Sequence, residues 1–125
     1  MQLTKERAIT LHRRMWRWIG LKTLKEKRCV KKEEWFKRFG LKTIYCGCYC
    51  CEYARSLLLY FHLGRDRCVH CPINWGGKRD CCDGKALFAL WKYEKDMDNW
   101  QEAGKLALQI AELPERDEPH SERII

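Results

Sequence analysis

Four cysteines in the middle of the chain have the spacing of a zinc site. Cys48 and Cys51 form one CxxC pair, and Cys68 and Cys71 form a second pair after 16 intervening residues. Thiolates are common zinc ligands, and two CxxC turns complete a tetrahedron that needs no bound water. The spacing therefore predicts one structural Zn²⁺ held by Cys48, Cys51, Cys68 and Cys71.

The remaining cysteines leave the ligand set open. Cys81 and Cys82 follow Cys71 after about ten residues, and either one is an alternative ligand. The nine cysteines are an odd number, so they cannot all form disulfides within a monomer. The N-terminal stretch MQLTKERAIT lacks the apolar segment of a secretory signal, and no run approaches the roughly 18 apolar residues of a membrane span. We therefore expect reduced thiols in a cytoplasmic protein that does not enter a membrane.

Catalysis is a weaker interpretation of the same thiols. A redox-active CxxC normally lies in a βαβ setting, which this sequence does not predict. Hydrolysis at zinc needs an open coordination position, and four thiolates leave none. We expect a protein without enzymatic activity.

The N-terminal third carries the positive charge of the chain. Residues 1–43 contain 14 Lys and Arg against 4 Glu, whereas residues 44–125 contain 11 basic and 13 acidic residues. Such an excess attracts phosphate backbones or acidic protein faces, and a solvated helical surface is the alternative. The residues predicted to contact nucleic acid or an acidic partner are Arg13, Arg14, Arg17, Lys22, Lys25, Lys27, Arg28, Lys31 and Lys32.

Helical periodicity predicts two basic helices within residues 4–40, and it places Arg13, Arg14 and Arg17 together on one side of the first. Thr4 is the predicted N-cap of the first helix, and the second is predicted from about Val30 to Phe39. Gly20 and Gly40 are each followed by LKT, and both are predicted to end a helix in the left-handed conformation. The apolar positions of the first helix are Ala8, Leu11, Met15, Trp18 and Ile19.

The rest of the chain is predicted as a Cys-rich centre, residues 46–82, followed by C-terminal helices within 85–113 and a loose tail, 114–125. Asp98 is the predicted N-cap of the last helix, with Gln101 completing a capping box. The apolar stripes of the two helices are Leu87, Leu90 and Trp91, then Ala103, Leu106, Ala107, Ile110 and Leu113. The sequence thus predicts a mainly α single domain, residues 1–113, whose helices surround a central zinc-knuckle region.

Three segments of the Cys-rich centre resemble a known group of proteins. CYCCEYA, CVHCPINWGG and DCC, followed by a Trp-containing helix and LALQIAELPER, resemble small Cys-rich proteins encoded by phages and prophages of Gram-positive bacteria. The resemblance extends from LHRRMWRWIG to ELPER, and it implies no particular activity for this chain. It implies that the four CxxC cysteines and one of Cys81 or Cys82 are shared within the group. It also implies the cytoplasm of an infected bacterial host and an accessory or host-directed role.

Two function classes are expected from these observations. The first is a phage-encoded, zinc-stabilised interaction module that binds a host protein or defence complex and inhibits or redirects it. The second is a basic, zinc-containing DNA- or RNA-binding protein. The sequence leaves the oligomeric state open.

Overall fold

The computed structural model of the protein describes residues 4–39, 49–50, 53, 71–75 and 86–115. These residues contain four helices, which are α1 (Lys5–Glu26), α2 (Lys32–Arg38), α3 (Leu87–Asp96) and α4 (Trp100–Ala111). No strand occurs among them, although an isolated antiparallel bridge joins Ile73 to Glu115. The prediction of a small, mainly α single domain is confirmed, while most of the predicted zinc-knuckle region lies outside the described residues.

Helix α1 begins as predicted and ends later than predicted. The Oγ1 atom of Thr4 accepts a hydrogen bond from the backbone N–H of Arg7 at 3.1 Å, which confirms Thr4 as the N-cap. The helix then continues to Glu26 and closes at Lys27, whose φ of 55° is left-handed. The predicted end at Gly20 is therefore wrong.

Gly20 is instead a packing position where α1 and α4 approach closely. A Cβ atom at Gly20 would lie 2.7 Å from Cγ of Leu108 and 3.0 Å from the carbonyl oxygen of Gly104. A Cβ atom at Gly104 would lie 2.7 Å from Cγ of Leu24. A larger residue at Gly20 would therefore press on the backbone of α4, whereas one at Gly104 would meet side chains of α1. The matching Gly40 lies outside the described residues.

Helix α2 turns back against the end of α1 and buries Trp35 and Phe36. Before it begins, the backbone N–H of Val30 donates to Oγ1 of Thr23 at 3.2 Å, and both residues are buried. Trp35 Nε1–H then donates to Oη of Tyr49 at 2.7 Å. The predicted second helix is confirmed in place, with a later start than Val30.

Helices α3 and α4 are joined by a tight turn at residues 97–99. Asp98 adopts a left-handed φ of 59°, and Asn99 occupies the N-cap position of α4 without a side-chain cap. The predicted capping role of Asp98 is wrong because the short turn needs a left-handed residue there, and aspartate tolerates that conformation.

The core lies between α1 and α4, and α3 covers one side of it. Trp16 is at its centre and meets the ring of Trp91 edge to face at a centroid distance of 4.7 Å. Leu90, predicted as a core position of α3, is instead 42% exposed. The predicted core positions that are buried are Ala8, Leu11, Met15, Ile19, Trp91, Ala103, Ala107 and Ile110. None of the helices in the described ranges combines the length and the apolarity needed to cross a membrane.

Candidate basic binding surface

One side of α1 carries a row of exposed basic side chains. With 3.6 residues per turn and a rise of 1.5 Å per residue, the row occupies a strip of about 80° that runs for about 27 Å along the helix. We call this surface the α1 basic face, and its exposed residues are Arg7, Thr10, Arg14, Arg17, Leu21 and Lys25. Four of these six residues are cations.

The cations of the α1 basic face are not neutralised within the described part of the chain. Arg14, Arg17 and Lys25 make no ion pair with any described carboxylate. The nearby carboxylate of Glu26 forms ion pairs with Lys22 and Arg28, which lie outside the face. The face therefore produces a positive potential that favours an acidic partner.

Leu21 places an apolar side chain in the C-terminal half of this charged row. It lies one turn from Arg17 and one turn from Lys25, and it is 56% exposed. A single exposed leucine is ordinary on a protein surface. Its position between two cations gives this end of the face an apolar contact flanked by charge, and protein–protein interfaces combine apolar and charged contacts in this way.

Three of the predicted contact residues of α1 and the turn after it have structural partners instead. Nη2 of Arg13 donates to the carbonyl oxygen of Leu113 at 3.3 Å, which ties α1 to the end of α4. Nζ of Lys22 lies 3.6 Å from Oε2 of Glu26 and 4.8 Å from the ring centroid of Trp18. Arg28, the third of these residues, belongs to a clamp between α1 and α2.

Arg28 forms this clamp with two glutamates. Its Nη1 and Nη2 atoms donate to the carboxylate of Glu34 at 3.0 and 2.8 Å, and its Nε donates to Glu26 at 2.8 Å. The hydrogen bonds to Glu34 raise the pKa of Arg28 above its usual value and hold the pKa of Glu34 below its usual range. The charge of Arg28 is therefore already compensated.

The other predicted lysines lie beyond the α1 basic face. Lys27 is exposed at the C-terminal end of α1. Lys31 and Lys32 line a cavity that also contains Lys92 and Lys95 of α3. Sequence reasoning missed these two α3 lysines and Arg7, although the spacing of Arg7 from Arg14, two helical turns, is a signal that the sequence contains.

Of the predicted zinc ligands, Cys71 is the one that the described residues include. It is 3% exposed and packs in the core with Ile73 and Trp75. Cys48, Cys51, Cys68, Cys81 and Cys82 lie outside the described residues. Within the described ranges, no three His, Cys, Asp or Glu side chains come together as a metal site. The zinc site remains a prediction.

A buried histidine connects this Cys71 segment to α1. The ring of His12 meets the ring of Trp75 edge to face at a centroid distance of 5.9 Å, and its Nε2 lies 3.4 Å from the carbonyl oxygen of Ile110. Because a carbonyl can only accept, Nε2 carries the proton in this contact. The backbone N–H of Asn74 also donates to the carbonyl oxygen of Pro114 at 2.9 Å. Residues 71–75 are thus packed against α1 and the chain that follows α4.

Comparisons of this chain with models of protein families, with curated proteins and with solved structures give no match. The geometry and charge of the described surfaces are therefore the basis for assigning a function.

Proposed function

We propose that this protein is a small interaction module that holds an acidic surface of a partner protein against the α1 basic face. The observation that carries this proposal is the row of four cations, interrupted by one exposed leucine, on one side of a long helix. In the phage setting that the sequence resemblance implies, the partner is a host protein or defence complex that the module inhibits or redirects. The role requires no catalysis.

The exposed Leu21 favours a protein partner over a phosphate backbone. Phosphates interact with cations and hydrogen-bond donors, so an exposed leucine within the face would gain little from them. An acidic protein surface offers carboxylates for the arginines and an apolar side chain for the leucine. Arginine is also enriched among residues that contribute most to binding in protein interfaces.

The packing of α1 supports binding because it fixes the row of cations in advance. The opposite side of the helix is buried against α4, and the Arg28 clamp ties its C-terminal end to α2. A partner that meets a rigid helix loses less conformational entropy than one that must order a loop. The side chains themselves remain exposed, so each ion pair contributes modestly and the affinity depends on all four together.

We also propose that a structural zinc ion orders the Cys-rich centre, with Cys48, Cys51, Cys68 and Cys71 as ligands and Cys81 or Cys82 as alternatives. The double CxxC spacing supports this proposal, as does the buried position of Cys71 in a segment that packs on the core. When bound, zinc would cross-link the centre of the chain and supply no reaction.

Binding of DNA or RNA is the second candidate function, and the length of the basic row favours it. Four cations along about 27 Å of helix can follow several phosphates of a backbone. Such binding would weaken steeply with salt because each neutralised phosphate releases counterions. The two candidates therefore differ in their response to salt and in the importance of Leu21.

Affinity capture from the host, with and without nuclease, tests the proposal. The wild-type protein is expected to retain one partner protein after nuclease treatment. The variant Arg14→Glu/Arg17→Glu is expected to lose it, and the control Lys105→Glu, on the exposed side of α4, is expected to keep it. Loss of all captured protein after nuclease treatment would favour nucleic acid, and equal capture by the double variant would contradict the α1 basic face.

Substitution of Leu21 is a second experiment that distinguishes a protein partner from DNA or RNA. Replacing Leu21 with Ala keeps every cation and removes most of the exposed apolar side chain of the face. A protein complex is expected to weaken about tenfold, since burial of a leucine side chain contributes on the order of 1.5 kcal/mol or more. Binding to a DNA or RNA duplex is expected to stay within about twofold.

A further inference from the structure

A cavity of about 220 Å³ lies between the beginning of α2 and the helix α3. Its lining brings together residues that are about 60 positions apart in the sequence. Four of them are lysines, Lys31, Lys32, Lys92 and Lys95, and two are aromatic, Phe88 and Trp91. None of these residues belongs to the α1 basic face, so the cavity is a second basic surface with a different shape.

The lining carries a marked excess of positive charge. Among the lining residues that the structure describes, Glu33 is the one carboxylate. Asp96 lies beside the cavity, where its Oδ1 is 3.3 Å from Nζ of Lys95. Lys31 and Lys92 are exposed and make no ion pair with the described carboxylates. Because like charges in a small concavity repel one another, a bound anion would lower the free energy of the site.

Aromatic rings hold two of the lysines in place. Nζ of Lys32 lies 4.6 Å from the ring centroid of Phe88 and 5.9 Å from that of Trp16. Nζ of Lys95 lies 5.4 Å from the ring centroid of Trp91. These cation–π contacts limit the motion of both ammonium groups before any ligand arrives. The rings also form an apolar wall, which reduces the local dielectric and strengthens attraction for an anion.

We propose that this cavity binds a small phosphate-bearing ligand, with the phosphate held between the lysines of α2 and those of α3. A phosphate or diphosphate group has several oxygens and more than one negative charge, which suits ammonium groups that arrive from two helices. The volume is about seven times the roughly 30 Å³ that one water molecule occupies. It accommodates the phosphate group, and the rest of a larger ligand lies at the open mouth of the cavity.

Calorimetric titration of the full-length protein with inorganic pyrophosphate, adenosine monophosphate and adenosine tests the proposal. Pyrophosphate or the nucleotide is expected to bind at one site per chain, and adenosine is expected not to bind. Tighter binding of the nucleotide would identify a nucleotide as the class of ligand, whereas tighter binding of pyrophosphate would identify an inorganic polyphosphate. Absence of binding by both phosphate compounds would overturn the proposal.

The variant Lys31→Gln/Lys92→Gln locates the site. Both side chains are exposed, so the fold should persist, and circular dichroism melting provides the check. The affinity is expected to fall about 100-fold, or about tenfold for each lost charged contact. The matched control Lys105→Gln, an exposed lysine of α4, should bind as the wild type does. Equal affinity of the double variant and the control would place the phosphate elsewhere and overturn the proposal.

Discussion

Replacing Gly20 with Ala should destabilise the protein, although alanine is the better helix former. In an exposed helix interior this change would stabilise by about 1 kcal/mol. Here the new Cβ atom would lie 2.7 Å from Cγ of Leu108 and 3.0 Å from the carbonyl oxygen of Gly104. The side chain can move, but the backbone oxygen moves only if α1 and α4 separate. Overpacking of this kind costs about 1 to 3 kcal/mol.

The expected net loss is therefore about 1 kcal/mol, which lowers the melting temperature by roughly 4 °C in a domain of this size. Thermal and urea unfolding followed by circular dichroism measure both quantities. A double-mutant cycle with Leu108→Ala separates the two contacts, because Gly20→Ala should remain destabilising in that background, where the contact with the oxygen of Gly104 persists. A higher melting temperature for Gly20→Ala in the wild-type background would refute the close approach of the two helices.

Three other results test the clamp, the core and the metal. Glu34→Gln should lower the melting temperature by only about 2 °C at neutral pH, since the Arg28 clamp is partly exposed. Because the pKa of Glu34 is lowered, this contribution is lost as the pH falls through that pKa, and the two melting temperatures should converge in acid. A double-mutant cycle of Trp35→Phe and Tyr49→Phe should give a coupling of about 1 kcal/mol, and no coupling would contradict the buried hydrogen bond. Elemental analysis should find one zinc per chain, and chelation should speed hydrogen exchange at the amide of Asn74. If protein purified under reducing conditions contains no zinc, the metal site is contradicted.

The fold was predictable from the sequence where local chemistry decides the structure. Thr4 caps α1 because its hydroxyl lies beside the first unpaired N–H groups, and this depends on neighbouring residues alone. The same sequence could not show that Gly20 continues the helix. The role of that glycine is set by Gly104 and Leu108, more than 80 residues away along the chain.

The sequence predicts where the basic residues of the candidate surface lie, but not which of them already have partners within the fold. The sequence locates the positive charge in the N-terminal third, and the spacing places Arg14 and Arg17 on one side of α1. It does not show that Arg13 donates to a carbonyl oxygen at the end of α4, 100 residues away. The lysine-lined cavity could not be predicted for the same reason, because its lysines come from the beginning of α2 and from α3, about 60 positions apart.

The affinity of the captured partner for the variant Arg14→Glu/Arg17→Glu tests the central claim most directly. Each reversal removes an ion pair and adds a repulsion, so the two together should weaken binding at least about 30-fold relative to the wild type. Lys105→Glu, which changes the net charge by half as much on another helix, should stay within about twofold. An affinity for the double variant equal to that of the wild type would contradict the assignment of the α1 basic face as the binding surface.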